Sequence, residues 1–397
     1  MQVHAVKGIK LAAVAAGIRY SGRDDLVLME LAEGSATAAV FTLNAFCAAP
    51  VTVAKTHLEQ AGPRYLLINS GNANAGTGDA GLVSTQKTCE LVADNTACLP
   101  QEVLPFSTGV IGEDLPVEPF ENSLPSAVEL LEEDNWQKAA EAIMTTDTVV
   151  KLSSRKIELS SGEVTITGMS KGSGMIHPNM ATMLAYVGTD AKVSQDILQS
   201  ILDQAVEPSF NSITVDGDTS TNDACVLAAS GASDCVVDDL QSEDGAVFAE
   251  AVREVCMDLA RAIVKDGEGA TKLIEIAVSG AVSDQEAKAV GFTVAHSPLV
   301  KTALFASDPN WGRILAAVGR APISSIDIDA IEIYLNEVCI VRNGGRAGDY
   351  TEEAGQSVMD LSEFTIDIRL NQGSGSSRVL TCDLSYDYVK INAEYRS

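Results

Sequence analysis

The residues best equipped for chemistry lie between Lys171 and Asp190, in the stretch KGSGMIHPNMATMLAYVGTD. A glycine-rich turn carrying a lysine runs through His177, Pro178 and Asn179 to Ala181 and Thr182. The apolar run from Met183 to Val187 that follows reads as a buried strand. The Thr182 hydroxyl therefore stands where an irregular loop gives way to sheet. Two readings follow. In one, the chain breaks its own Ala181–Thr182 bond and Thr182 becomes an N-terminal nucleophile, using its α-amine, of unperturbed pKa near ~8, as general base. In the other, Thr182 is a β-branched residue opening a core strand, which is the commoner use of a threonine in that setting.

Other hydroxyl-rich and acidic stretches could complete such a site. LPFSTGVI places Thr108 and Gly109 at a bend between apolar residues, where a hydroxyl and a backbone N–H can converge on one point. A plain turn accounts for it equally well. Thr145, Thr146, Asp147 and Thr148 follow a helical stretch, as a pocket wall or as ordinary helix termination. Glu268 sits in a glycine loop after the clearest helix, either solvated or placed to meet an ammonium group. ITVDGDTSTNDA, residues 213–224, lacks the twelfth-position Glu and central Gly of a calcium loop. The loop NSGNANAGTG matches neither P-loop nor GxGxxG spacing and reads as a tight backbone turn.

The elements that must position these residues alternate irregularly. Strands are expected at 25–31 and 37–46 as a hairpin, at 51–54, at 65–68, and as a second hairpin at 157–159 and 164–166. Helices are expected up to about 93, up to about 144, after Ser194, and over 245–264. Beyond these come strands at 273–278, 331–341, 364–370 and 379–384, the last two joined by NQGSGSS, and a tail that alternates apolar and polar residues. Strands gathered in runs favour layered α+β sheets over a doubly wound fold.

With 397 residues, 46% of them hydrophobic, the chain can bury a large core, and two lobes, or one lobe with an elaboration, are expected. A formal net charge of −28 excludes a nucleic-acid partner, which requires clustered Lys and Arg, and makes local cations such as Lys171 necessary for any carboxylate substrate. No apolar run approaches a membrane span. Eight cysteines without a CxxC pair point to reduced thiols in a cytoplasmic protein, and the four histidines never fall at metal-ligand spacing.

Taken together, GIKLAAVAAGI, FTLNAFCAAPV, INSGNANAGTG, STGVIGE, AIMTTDT, KGSGMIHPNMATML, FNSITVDGDTSTNDA, KDGEGATK, SDPNWGRI and the terminal YVKINAEYRS resemble, in order and nearly end to end, the ornithine acetyltransferase (glutamate N-acetyltransferase) family of arginine biosynthesis. The resemblance implies an αββα sandwich shared with DmpA-type aminopeptidases, here a catalytic lobe over 1–278 and a smaller C-terminal α+β lobe over 279–397. It implies self-cleavage between Ala181 and Thr182 into chains 1–181 and 182–397, held as an α2β2 heterotetramer. Thr182 would be the nucleophile and Thr108 with Gly109 the oxyanion hole. Substrate contacts would fall on Thr145, Lys171, Thr182, Glu268, Asn392 and Ser397. The implied reaction moves acetyl from N2-acetyl-L-ornithine to L-glutamate by a ping-pong route, with no bound cofactor or metal; members of the family differ in whether acetyl-CoA is also a donor. One departure from the pattern is Val149-Val150-Lys151, where a proline often precedes the lysine. A DmpA-like aminopeptidase or amidohydrolase is the alternative, and the threonine of ATML, where those relatives favour serine, argues against it.

Overall fold

A computed structural model describes residues 2–177 and 183–394. It divides into two compact units, Met1–Asn211 with Asp218–Ile263, and Ser212–Gly217 with Val264–Ser397. Residues 264–278, placed in the first lobe by the sequence reading, belong to the second unit. The strand they contain pairs there on both sides.

In chain order the first unit contains β1 (Ile9–Val14), β2 (Leu26–Leu31), β3 (Ala36–Phe41), α1 (Ala49–Gln60), β4 (Tyr65–Asn72), α2 (Gly78–Asn95) and β5 (Val103–Val110). It continues with α3 (Glu118–Glu129), α4 (Trp136–Ala142), β6 (Lys151–Leu159), β7 (Gly162–Lys171), β8 (Leu184–Thr189), β9 (Lys192–Val193) and α5 (Gln195–Val206). It closes with β10 (Ala224–Ala229), β11 (Val236–Val237) and α6 (Glu243–Lys265), whose last turn enters the second unit.

Two sheets carry the layers, one ordered β1-β2-β4-β5 and the other β3-β10-β8-β7-β6. Period-two alternation explains why both faces are covered. From β2, Val27, Met29 and Leu31 enter a core shared with Met169, Leu184, Tyr186 and Val226 of the second sheet. Its neighbours Leu26 and Leu28 face the other way, into a core with Val53, Val92 and Phe120 of α1, α2 and α3. On the outer face of the second sheet, Gly168 leaves room for Leu259 and Val255 of α6; a Cβ there would stand 3.0 Å from both. The order is helices, sheet, sheet, helices, the αββα sandwich that the resemblance implies, in an α+β chain.

Two local expectations fail for identifiable reasons. β2 and β3 are not a hairpin: the turn after Leu31 carries the chain from one sheet to the other. Residues 51–54 are helical, because Pro50 is well suited to a first turn and Val51, Ala54 and His57 fall on one buried face of α1.

The second unit contains β12 (Leu273–Ala281), α7 (Asp284–Ala295), α8 (Pro298–Phe305), α9 (Trp311–Gly319), β13 (Glu332–Leu335), β14 (Val338–Arg342) and β15 (Gly345–Arg346). It ends with α10 (Glu352–Met359), β16 (Glu363–Arg369), β17 (Gly375–Cys382) and α11 (Tyr386–Ala393). Its sheet runs β15-β14-β13-β16-β12-β17. β12 therefore separates β16 from β17, and NQGSGSS is a crossing rather than a hairpin loop. The tail forms α11, opened by Ser385, whose side chain accepts the Tyr388 N–H.

Candidate active site

Four strand ends of the second sheet lie in one cross-strand row. Lys171 pairs with Leu184, Leu184 with Ala224, and Ala224 with Phe41. Ala181 and Thr182 lie outside the described residues, as does Ser397; the row begins two residues after Thr182, at the start of β8. Ala224 N–H donates to the Met183 carbonyl at 3.0 Å, which binds the start of β10 to the start of β8.

The first sheet contributes Thr108 and Gly109 at the end of β5. Register slips there, with Asn72 opposite both Thr108 and Val110. Gly109 has φ +136°, and a Cβ on it would sit 2.3 Å from the Gly71 carbonyl carbon, so this close approach of β4 and β5 demands glycine. The bulge turns the Thr108 side chain toward Lys171, whose ammonium donates to Thr108 Oγ1 at 3.4 Å.

Asp147 organises the other side. Its carboxylate is paired with Lys151 at 2.7 Å, both side chains fully buried. It also accepts the Gly172 N–H at 2.7 Å and the Thr145 N–H at 3.0 Å. Burial alone would raise the pKa of Asp147, but Lys171, Lys151 and the Gly172 amide outweigh it and bring it down to about 2. One anion thus ties the loop carrying Thr145 to the strand end carrying Lys171, and its field acts directly on that lysine. The Thr146 and Ser173 hydroxyls, 2.7 Å apart, add a second tie between the same segments.

The stretch ending at Asp223 joins the two sheets. Asn222 Nδ2 donates to the Ala73 carbonyl at 2.6 Å and to the Ser107 carbonyl, next to Thr108, at 2.9 Å. Thr42 N–H donates to the Asp223 carbonyl at 2.9 Å. Asn222 and Asp223 were read in the sequence as part of a rejected calcium loop and of one stretch that carries the family resemblance.

Of the expected site residues, Thr108, Gly109, Thr145 and Lys171 converge in the first unit. In the second unit Glu268 is 8% exposed and accepts a hydrogen bond from Asn392 Nδ2 at 2.8 Å, so these two also meet. Gly269 makes that possible: its φ is +67°, and a Cβ on it would stand 2.5 Å from the Tyr388 amide of α11. Sequence reasoning met Asp147 only within the 145–148 cluster and gave Lys151, Asn222 and Asp223 no role in a site. The i,i+4 spacing of Asp147 and Lys151 is a legible signal of an ion pair, but that this pair is buried depends on the sheet behind it.

This chain matches the model of the ArgJ family over residues 10–397. It is 58% identical, over 99% of its length and 96% of the relative's, to the arginine biosynthesis bifunctional protein ArgJ of Methylococcus capsulatus, and 54% identical, over 100% and 98%, to that of Pseudomonas fluorescens. The crystal structure of the protein of that name from Bacillus halodurans superposes with a TM-score of 0.51 and 41% identity, covering 53% of this chain and 99% of the solved one. The chain belongs to the ArgJ family.

Proposed function

We propose that the protein transfers acetyl from N2-acetyl-L-ornithine to L-glutamate through an acetyl-threonine on Thr182, after cleaving itself between Ala181 and Thr182. The observation that carries this reading is the convergence of the Thr108 hydroxyl, Lys171 and the Asp147-tethered Thr145 loop at the strand ends where β8 begins. Thr182 attacks the acetyl carbonyl, and the Thr108 hydroxyl with the Gly109 N–H stabilises the oxyanion. Ornithine leaves with a proton, glutamate attacks the acyl-enzyme, and N-acetyl-L-glutamate is released. Both amino acids carry an α-carboxylate, so Lys171 can serve both half-reactions against the unfavourable overall charge of the chain. Thr145, Glu268, Asn392 and Ser397 complete the substrate contacts.

Self-processing is supported by the Bacillus halodurans structure, whose chain is matched over 99% of its length by only 53% of this one, close to the share that lies beyond Ala181. The products 1–181 and 182–397 would remain associated as an α2β2 assembly, in a catalytic lobe and a smaller C-terminal lobe. The word bifunctional in the relatives' names supports acetyl-CoA as a second donor to glutamate. Eight free cysteines fit a reducing cytoplasm, and no described helix is long and apolar enough to cross a membrane.

The test is to follow acetylornithine with and without glutamate, measuring acetylglutamate and free acetate separately. Glutamate-dependent transfer with little acetate is expected. Acetate release that ignores glutamate would instead mark a hydrolase.

A further inference from the structure

β7 ends at Lys171 and β8 begins at Leu184, both in the active-site row. At the opposite ends of the same two strands, Gly162, Thr165 and Asp190 line a cavity of about 580 Å³, a volume typical of small-molecule sites. The segment carrying His4 and Lys7, the tip of the β6–β7 hairpin and residues 232–235 complete its wall. None of the residues given a part in acetyl transfer lines it.

The wall is pinned from several sides. The His4 N–H donates to Ser154 Oγ at 3.0 Å, and Thr167 Oγ1 donates to the His4 carbonyl at 2.7 Å. Ser230 Oγ donates to the Lys7 carbonyl at 2.5 Å, and the Ser233 N–H to the Asp190 carbonyl at 2.8 Å. The cavity is therefore already shaped, and a ligand entering it has little chain to order.

Two unlike charges face this space without meeting. Asp190 is 3% exposed; one carboxyl oxygen accepts the Thr165 N–H at 2.9 Å, and the other meets no donor from another residue among the described residues. Lys7 lies near enough for its field to reach Asp190, yet among the described residues its ammonium makes no ion pair. On the same wall Lys156 and Glu163 already satisfy each other at 2.6 Å. The cavity thus lacks a cationic donor for Asp190 and an anion for Lys7. A phosphate would leave Asp190 facing a like charge, and a simple amine would leave Lys7 unpaired. A molecule carrying both charges side by side satisfies the two at once, and being neutral in total it is not repelled by a chain of net charge −28.

We propose that this cavity is a second ligand site of the protein and takes a free α-amino acid, its ammonium on Asp190 and its carboxylate on Lys7. The site is separate from the proposed acetyl-transfer centre and does not depend on that reading.

The experiment titrates the purified protein by calorimetry with each coded amino acid and with L-ornithine, for wild type, Lys171→Met, Lys7→Met and Asp190→Asn. At least one amino acid is expected to bind wild type and Lys171→Met alike, and to bind Lys7→Met and Asp190→Asn at least about tenfold more weakly, as the loss of one hydrogen bond between charged groups requires. The α-amide and the N-acetyl derivative of that amino acid, each short of one charge, should lose at least as much on wild type. Asparagine still offers an oxygen to the Thr165 N–H, and Lys7 is exposed, so the Lys7 variant tests the site even where Asp190→Asn fails to fold. Binding that disappears in Lys171→Met and persists in the other two variants would place every amino acid at the acetyl-transfer centre and overturn the proposal. So would the absence of any binding, or a derivative that binds as tightly as its parent.

Discussion

Asp147 and Asp223 are two buried aspartates of one unit, each within the field of Lys171, and they are held in opposite states. Asp147 is surrounded by donors: a lysine ammonium, two backbone amides and the field of a second lysine. Asp223 keeps one oxygen without a partner, and burial pushes its carboxyl well above the ordinary range, with Ser220, Lys171 and the Met183 amide only partly offsetting this. Depth of burial does not decide the charge of a carboxyl. The number of donors turned toward it does. The fully paired aspartate serves as scaffold, holding Thr145 and Lys171 in place. Burial holds the under-satisfied one toward its neutral form.

The largest expected effect that separates the two is on stability. Asp147→Ala strands the buried Lys151 ammonium and should cost about 3–5 kcal/mol, whereas Asp223→Asn should stay within about 1 kcal/mol of wild type. Denaturant titration of both variants reads this directly, and equal losses would dissolve the distinction. Next in size is turnover. Thr108→Val deletes the hydroxyl that accepts from Lys171 without changing the strand and should lower kcat by ~10²–10³ with little change in stability. A loss confined to KM would make Thr108 a ground-state contact instead.

The pH dependence should also run in opposite directions. Asp147 has its folded pKa near 2, below an unfolded value of ~3.9, so its stabilisation is present above about pH 4 and is lost as pH falls toward 2. It amounts to about 2.5 kcal/mol. Asp223, with a raised folded pKa, contributes most below about pH 4 and loses that contribution as pH rises through the raised value. Stability measured against pH should flatten on the acid limb in Asp147→Asn and at higher pH in Asp223→Asn. The smallest effect belongs to the second unit. Asn392→Ala removes one partly exposed hydrogen bond to Glu268 and should raise KM severalfold, about 1 kcal/mol, with kcat nearly unchanged.

Much of this arrangement was legible from residue types. Gly109 beside Thr108, the lysine of KGSG and the strand in the apolar run from Met183 were readable because local chemistry and a continuous apolar stretch, buried throughout, mark them. Pairing was not. Nothing in the turn after Leu31 indicates that β3 leaves its neighbour for the other sheet, and nothing in NQGSGSS indicates that β12 inserts between β16 and β17. Both depend on long-range partners. The tail was misread because Val389 and Ile391 alternate over too short a run to specify a strand, and Ser385 as a cap decides for the helix. Asp147 and Asp223 looked like loop acids, since their burial is conferred by strands far away in sequence.

The central claim is that Thr182 is a new N-terminus that carries the acetyl group. It is tested most directly by incubating the protein with N2-acetyl-L-ornithine alone, quenching in acid, and mapping peptides by mass. The account predicts a chain beginning at Thr182 that bears one acetyl group, lost when L-glutamate is added before the quench. An uncleaved chain that transfers acetyl at full rate, or an active enzyme acetylated elsewhere and never on Thr182, would contradict it.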